Sequence, residues 1–124
     1  MRIIRVSSSA SLLLLLNWAG ASPALAHAFL DHASPRVGST VSQAPNELTL
    51  SFTQNLEPAF STVEVLDEKG GKVDKGDVQV DPNDGALLRV SLKSLSPGTY
   101  KVIWHVVSVD THPTEGDFTF QVAP

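Results

Sequence analysis

The sequence predicts an all-β domain that closes its core as two packed sheets or a small barrel. Three observations carry this. Apolar and polar residues alternate with period two in short stretches. Clusters of Gly, Pro, Asn and Asp separate those stretches at sandwich-like spacing. After residue 26, no stretch repeats its apolar residues at the spacing of an amphipathic helix. The 124 residues contain no internal repeat and suffice for one domain.

The elements follow in order. An extended start is expected near Phe29 and Leu30. Glu47 to Thr53 alternates cleanly, with Leu48, Leu50 and Phe52 facing a core. Ser61 to Asp67 forms the next strand, with Val63 and Val65 on one face. Lys69-Gly70-Gly71-Lys72 turns the chain into a strand near Val73 to Val80. Pro82-Asn83-Asp84-Gly85 is a strong turn signal, and Leu88, Val90 and Leu92 alternate after it. Ser96-Pro97-Gly98 turns again into Thr99 to Val107, and Phe118, Phe120 and Val122 mark the last strand. This makes about seven short strands. Pro35, Pro45 and Pro58 fall between strands or at their edges, where a missing N–H does least harm.

Charge and composition narrow the function. There are 13 acidic against 9 basic residues, and two of the bases, Arg2 and Arg5, precede Leu25. Beyond residue 26 the chain keeps 13 acids and 7 bases, a formal charge of −6. Such a domain is a poor partner for nucleic acid or an anionic membrane, and it suits the handling of cations. There is no cysteine, which excludes disulfides, thiolate metal sites and thiol catalysis. The single methionine is Met1.

Residues 1–26 read as a cleavable secretory signal peptide. Arg2 and Arg5 supply its positive start, Leu12 to Leu16 with Trp18 and Ala19 its apolar stretch, and Ala24-Leu25-Ala26 its small-x-small cleavage site. The apolar run is interrupted by Asn17 and falls short of the roughly 20 residues that span a bilayer. Cleavage after Ala26 would make His27 the first residue of a mature domain, 27–124, outside the cytoplasm. An N-terminal histidine offers its α-amine and its ring Nδ1 to one ion, and the amine loses its proton more easily than a lysine amine does.

The other histidines are His32, His105 and His112. Asp110 lies two residues before His112, and on an extended segment such side chains share a side. Asp110 and His112 are therefore expected to converge, with His27 completing three nitrogens and one carboxylate. Amine and imidazole nitrogen in a tetragonal set suit Cu(II), which tops the divalent affinity order. From the residues alone the alternative is a solvated loop, since Asp-x-His also arises by chance. His32 reads as a surface residue. His105, beside Trp104 inside a strand, has the opposite parity and reads as a sheet histidine. No nucleophile motif and no phosphate loop are present: Ser108, Asp110 and His112 are too close in sequence for a relay triad.

His27 after its cleavage site, Ser34-Pro35, Gly38-Ser39, the run Leu50 to Leu56 and Pro97-Gly98-Thr99-Tyr100 form a recognisable series. It ends in the block Trp104 to Pro113, which contains Ser108-Val109-Asp110-Thr111-His112-Pro113, with Gly116 and Phe118 following. Over essentially the whole chain after the leader, this resembles the CopC family of bacterial periplasmic copper proteins. The resemblance implies an immunoglobulin-like Greek-key β-sandwich that binds Cu(II) through His27, Asp110 and His112. Some members place a Glu where this chain has Gln54, which makes Gln54 a weaker candidate ligand. The methionine-rich loop of other members corresponds to Asp67 to Val80, which contains no Met, so a single Cu(II) site and no Cu(I) site is expected. The implied role is copper homeostasis or resistance in the periplasm, as a monomer and not an enzyme, with a CopD-type inner-membrane copper transporter as partner. Two alternatives are a copper oxidase or oxygenase with a histidine brace and a metal-free interaction module. Asp110 and the shortage of aromatic residues weigh against the former.

Overall fold

A computed structural model describes residues 27–124. The signal peptide expected at 1–26 lies outside the described residues. Eight strands build two four-stranded sheets: β1 (Leu30–Ser34), β2 (Thr40–Val41), β3 (Glu47–Phe52), β4 (Thr62–Leu66), β5 (Gln79–Asp81), β6 (Asp84–Ser91), β7 (Gly98–Val107) and β8 (Pro113–Val122). The first sheet has the order β1-β3-β6-β5 and the second β2-β8-β7-β4. Pairing is antiparallel except between β2 and β8. Only β5–β6 and β7–β8 are hairpins; the other connections pass between the sheets, as in Greek-key sandwiches.

The expected alternation produces the core. Leu48, Leu50 and Phe52 of β3 are buried, as are Val63 and Val65 of β4, Leu88 and Val90 of β6, and Phe118, Phe120 and Val122 of β8. Burying each large apolar side chain contributes about 1.5–3 kcal/mol. Tyr100 stacks on Phe120 with centroids 5.6 Å apart, and its hydroxyl donates to the Ser96 carbonyl at 2.5 Å. Burial pushes that phenol above its ordinary range. Trp104 meets Phe52 edge-on at 5.1 Å.

Three elements differ from expectation. The strand expected near Val73 to Val80 survives only as β5. Residues 72–75 instead straddle the two sheets: Lys72 bridges to Leu66 and Asp74 to Leu92. The Asp74 carboxylate is buried and accepts from the Val65 N–H at 2.8 Å and the Gly76 N–H at 3.0 Å, and Gly76 turns the chain at φ 74°. Local alternation cannot foresee a buried carboxylate that satisfies backbone donors on another strand. The two-residue strand β2 carries too short a pattern to be read from sequence. β8 begins at Pro113, well before Phe118, because a strand's first residue tolerates a missing N–H.

Candidate metal centre

β3 and the β7–β8 hairpin deliver the site to one end of the sandwich. β7 leaves the sheet at Val107, opposite Pro113. The chain between them turns tightly: Thr111 N–H donates to the Ser108 carbonyl at 2.7 Å, and Ser108 N–H to the His112 carbonyl at 3.1 Å. Val109 N–H reaches across to the Asn55 carbonyl at 3.0 Å, tying the turn to the segment after β3. Thr111 sits in the left-handed region at φ 70°, a position β-branched residues seldom adopt. Strain of this kind costs on the order of 1–3 kcal/mol and concentrates at functional sites.

The start of the described chain is strapped onto this turn. Ala28 is fully buried, and its carbonyl accepts from Thr114 Oγ1 at 2.7 Å. Thr53 Oγ1 accepts from the Phe29 N–H at 2.9 Å, while Thr53 N–H donates to the Phe29 carbonyl at 2.9 Å. The same hydroxyl lies 3.5 Å from the His27 carbonyl. These bonds leave His27 exposed at the rim, with its ring centroid 4.8 Å from that of His112 and 6.0 Å from that of Phe29.

The 4.8 Å separation has a chemical reading. A metal–nitrogen bond near 2.0 Å places an imidazole centroid about 3.1 Å from the ion, so two such rings lie about 4.4 Å apart at right angles and about 6.2 Å apart when opposed. The observed pair falls within that interval, near the right-angle end.

Asp110 is exposed on the turn and does not join the histidines in a compact set. Among the described residues no three His, Cys, Asp or Glu side chains are grouped closely enough to hold one ion. The strand parity from which Asp110 and His112 were expected to share a side does not apply here. Val109 to Thr111 is a turn with a left-handed residue, and the two-residue rule holds only for extended chain. Gln54 is half-buried in the stretch after β3, next to Asn55. His32 is exposed and pairs with Asp31 at 2.9 Å. His105 is an exposed sheet histidine, 2.9 Å from Glu115 directly opposite on β8. Sequence reasoning missed Ala28, Thr53, Thr114 and Asn55, which hold the two histidines together. Of these, Thr53 and Asn55 lie in the recognisable run Leu50 to Leu56 and Thr114 adjoins the Asp-Thr-His-Pro block, but none was read as holding the site.

The sandwich has counterparts among known proteins. The model of the CopC domain matches residues 30–123, and the chain belongs to that family. It is 41% identical over 98 residues to Protein YobA of Escherichia coli K12, covering 78% of this chain and 79% of that one. It is 40% identical over 105 residues to Copper resistance protein C of Xanthomonas campestris pv. juglandis, covering 80% and 82% of the two chains. Copper transport protein CutJ of Bacillus subtilis is 29% identical over 98 residues, which make up 78% of this chain and only 18% of that protein. Among solved structures, CopC from Methylosinus trichosporium OB3b superposes with a TM-score of 0.74 at 34% identity, covering 79% of this chain and 95% of that one.

Proposed function

We propose that the mature protein is a periplasmic Cu(II)-binding protein of copper homeostasis or resistance, with one site and no catalytic turnover. The observation that carries this reading is the His27–His112 ring pair, 4.8 Å apart, in a chain of the CopC family. Cleavage after Ala26 turns the His27 amide into an amine, so that amine and Nδ1 chelate the ion together. The His112 ring supplies a third nitrogen. Asp110, on the adjoining turn, closes onto the ion as the carboxylate ligand, and Gln54 is at most a weak contact. Nitrogen and oxygen donors without sulfur favour Cu(II) over Cu(I). The names of the Xanthomonas and Bacillus relatives, copper resistance and copper transport, support the cargo. In the Bacillus relative the matching segment is joined to a much longer chain, which supports handover to a CopD-type inner-membrane transporter.

The test is a comparison of the mature protein starting at His27 with one carrying a single extra residue before it. Copper(II) titration and electron paramagnetic resonance should show the extended form binding at least about 100-fold more weakly, with altered nitrogen hyperfine structure. Equal affinities with identical spectra would refute the chelate.

A further inference from the structure

The end of the sandwich that carries His27 and His112 differs from the opposite end in two independent ways. The first is apolar exposure. Phe60 is 68% exposed, Phe29 55% and Val109 49%, and the Phe29 ring lies 6.0 Å from that of His27; Val37, 56% exposed beside Gly38, is the one large exposed apolar side chain among the described residues that lies toward the other end. Phe29 follows the strap, Val109 lies on the turn, and Phe60 borders a cleft of about 260 Å³ lined also by Val107, Pro113 and Thr114. The second is charge. Strand register places Asp31, Glu57, Asp84, Asp110 and Glu115 at this end. No Lys or Arg among the described residues joins them. Lys69, Lys72, Lys75, Lys93 and Lys101 all lie at the far end, beside Leu66, Ser91 and Leu92. Arg36 follows β1 at its far end, and Arg89 is held at mid-sheet between Asp81 and Glu47.

We propose that this acidic, apolar-centred end is a docking face for a protein whose copper-accepting mouth is apolar and rimmed by lysine or arginine. Complementary charge steers such a partner onto the face, and the exposed aromatic rings exclude water once it is seated. The same charge disfavours an anionic lipid surface and a second copy of this chain, which would meet like with like. The partner reaches the ion at the exposed His27–His112 rim without opening the sandwich. This deepens the proposed handover and rests on that reading.

The test uses the mature, copper-loaded protein and a CopD-type transporter in phosphatidylcholine nanodiscs, with binding followed by interferometry. The variants are Glu57→Lys, Glu115→Lys and Phe60→Ser at the docking end, and Glu68→Lys at the far end. Wild type should bind saturably and about tenfold more weakly at 200 mM than at 20 mM salt. Each docking-end variant should lose about tenfold or more, the far-end variant should match wild type, and copper(II) affinity should be the same in all. Docking-end variants that bind like wild type, an equal loss at the far end, or no saturable binding at low salt would each overturn the proposal. So would binding to protein-free phosphatidylglycerol vesicles, or a dimer in sedimentation that Phe60→Ser abolishes. A protein that binds copper but ignores the transporter overturns only the docking face, whereas one that binds no copper overturns the underlying function.

Discussion

Asp110 and Thr111 occupy the turn that presents His112, and the bonds described there run through the main chain. Ser108, Thr111 and His112 close the turn on themselves, and Asn55 holds it from outside. The Asp110 side chain is exposed and takes no part in these bonds. Its truncation should therefore leave the metal-free fold within about 0.5 kcal/mol of wild type. If Asp110 closes on copper, Asp110→Ala should weaken copper(II) binding by about tenfold or more and raise the reduction potential, because a hard anionic ligand favours the higher oxidation state. Metal-free thermal melting and voltammetry of the loaded protein measure the two effects. An unchanged potential with a clearly lowered melting temperature would remove Asp110 from the ligand set. A two-histidine brace would then be left, and the oxygenase reading would reopen.

The β7–β8 hairpin is the element that carries the site, and its rigidity depends on one close contact. Trp104 lies opposite Gly116, and a Cβ at Gly116 would sit 2.5 Å from Trp104 Cζ2 and 2.9 Å from Cε2. The indole is buried against Phe52 and cannot swing aside cheaply. Gly116→Ala should cost about 1–3 kcal/mol through overpacking. For a domain of this size that lowers the melting temperature by several degrees, about 4–8 °C per kcal/mol. Scanning calorimetry on the metal-free protein checks it, with indole fluorescence reporting the displaced ring. A melting temperature equal to wild type would mean that the hairpin yields and that this contact does not stiffen the site.

Across the whole molecule, copper release and unfolding should occupy separate pH ranges. Nitrogen ligands must be unprotonated to bind, so protons compete with copper as pH falls through the range of free imidazole, about 6.5. The fold responds lower. Asp81 is held below the ordinary carboxylate range, first by the Arg89 guanidinium at 2.7 Å and then by the Asn83 N–H. A carboxylate depressed in the folded state contributes stability that is complete above its unfolded value, about 3.9, and is lost as pH falls through the folded one. Asp77, bonded to Ser91, acts in the same direction. Copper(II) affinity should thus fall steeply between about pH 7.5 and 5 while the β-sheet circular dichroism stays constant, with acid unfolding only below about pH 4. An affinity that stays flat over the upper interval would rule out amine and imidazole ligation.

Most of the sheet framework was legible because each strand buries one face, and alternation along the chain records which face that is. Leu48-x-Leu50-x-Phe52 and Phe118-x-Phe120-x-Val122 read directly as buried positions, and Pro82-Asn83-Asp84-Gly85 as a turn, of which Pro82 and Asn83 join β5 to β6 while Asp84 and Gly85 open β6. His27 and His112 were legible as candidates from their chemistry and from the family pattern around them. Three things were decided only by tertiary structure. One is the approach of His27 to His112 across 85 positions, held by the hydroxyls of Thr53 and Thr114 and by the buried Ala28. Another is the inward carboxylate of Asp74, which ends an expected strand by satisfying a donor on β4. The third is the left-handed turn at Thr111, which defeats strand parity for Asp110. Alternation reports only whether a residue faces water. Hydrogen bonds between distant segments, and the backbone conformations they impose, leave no such periodic trace.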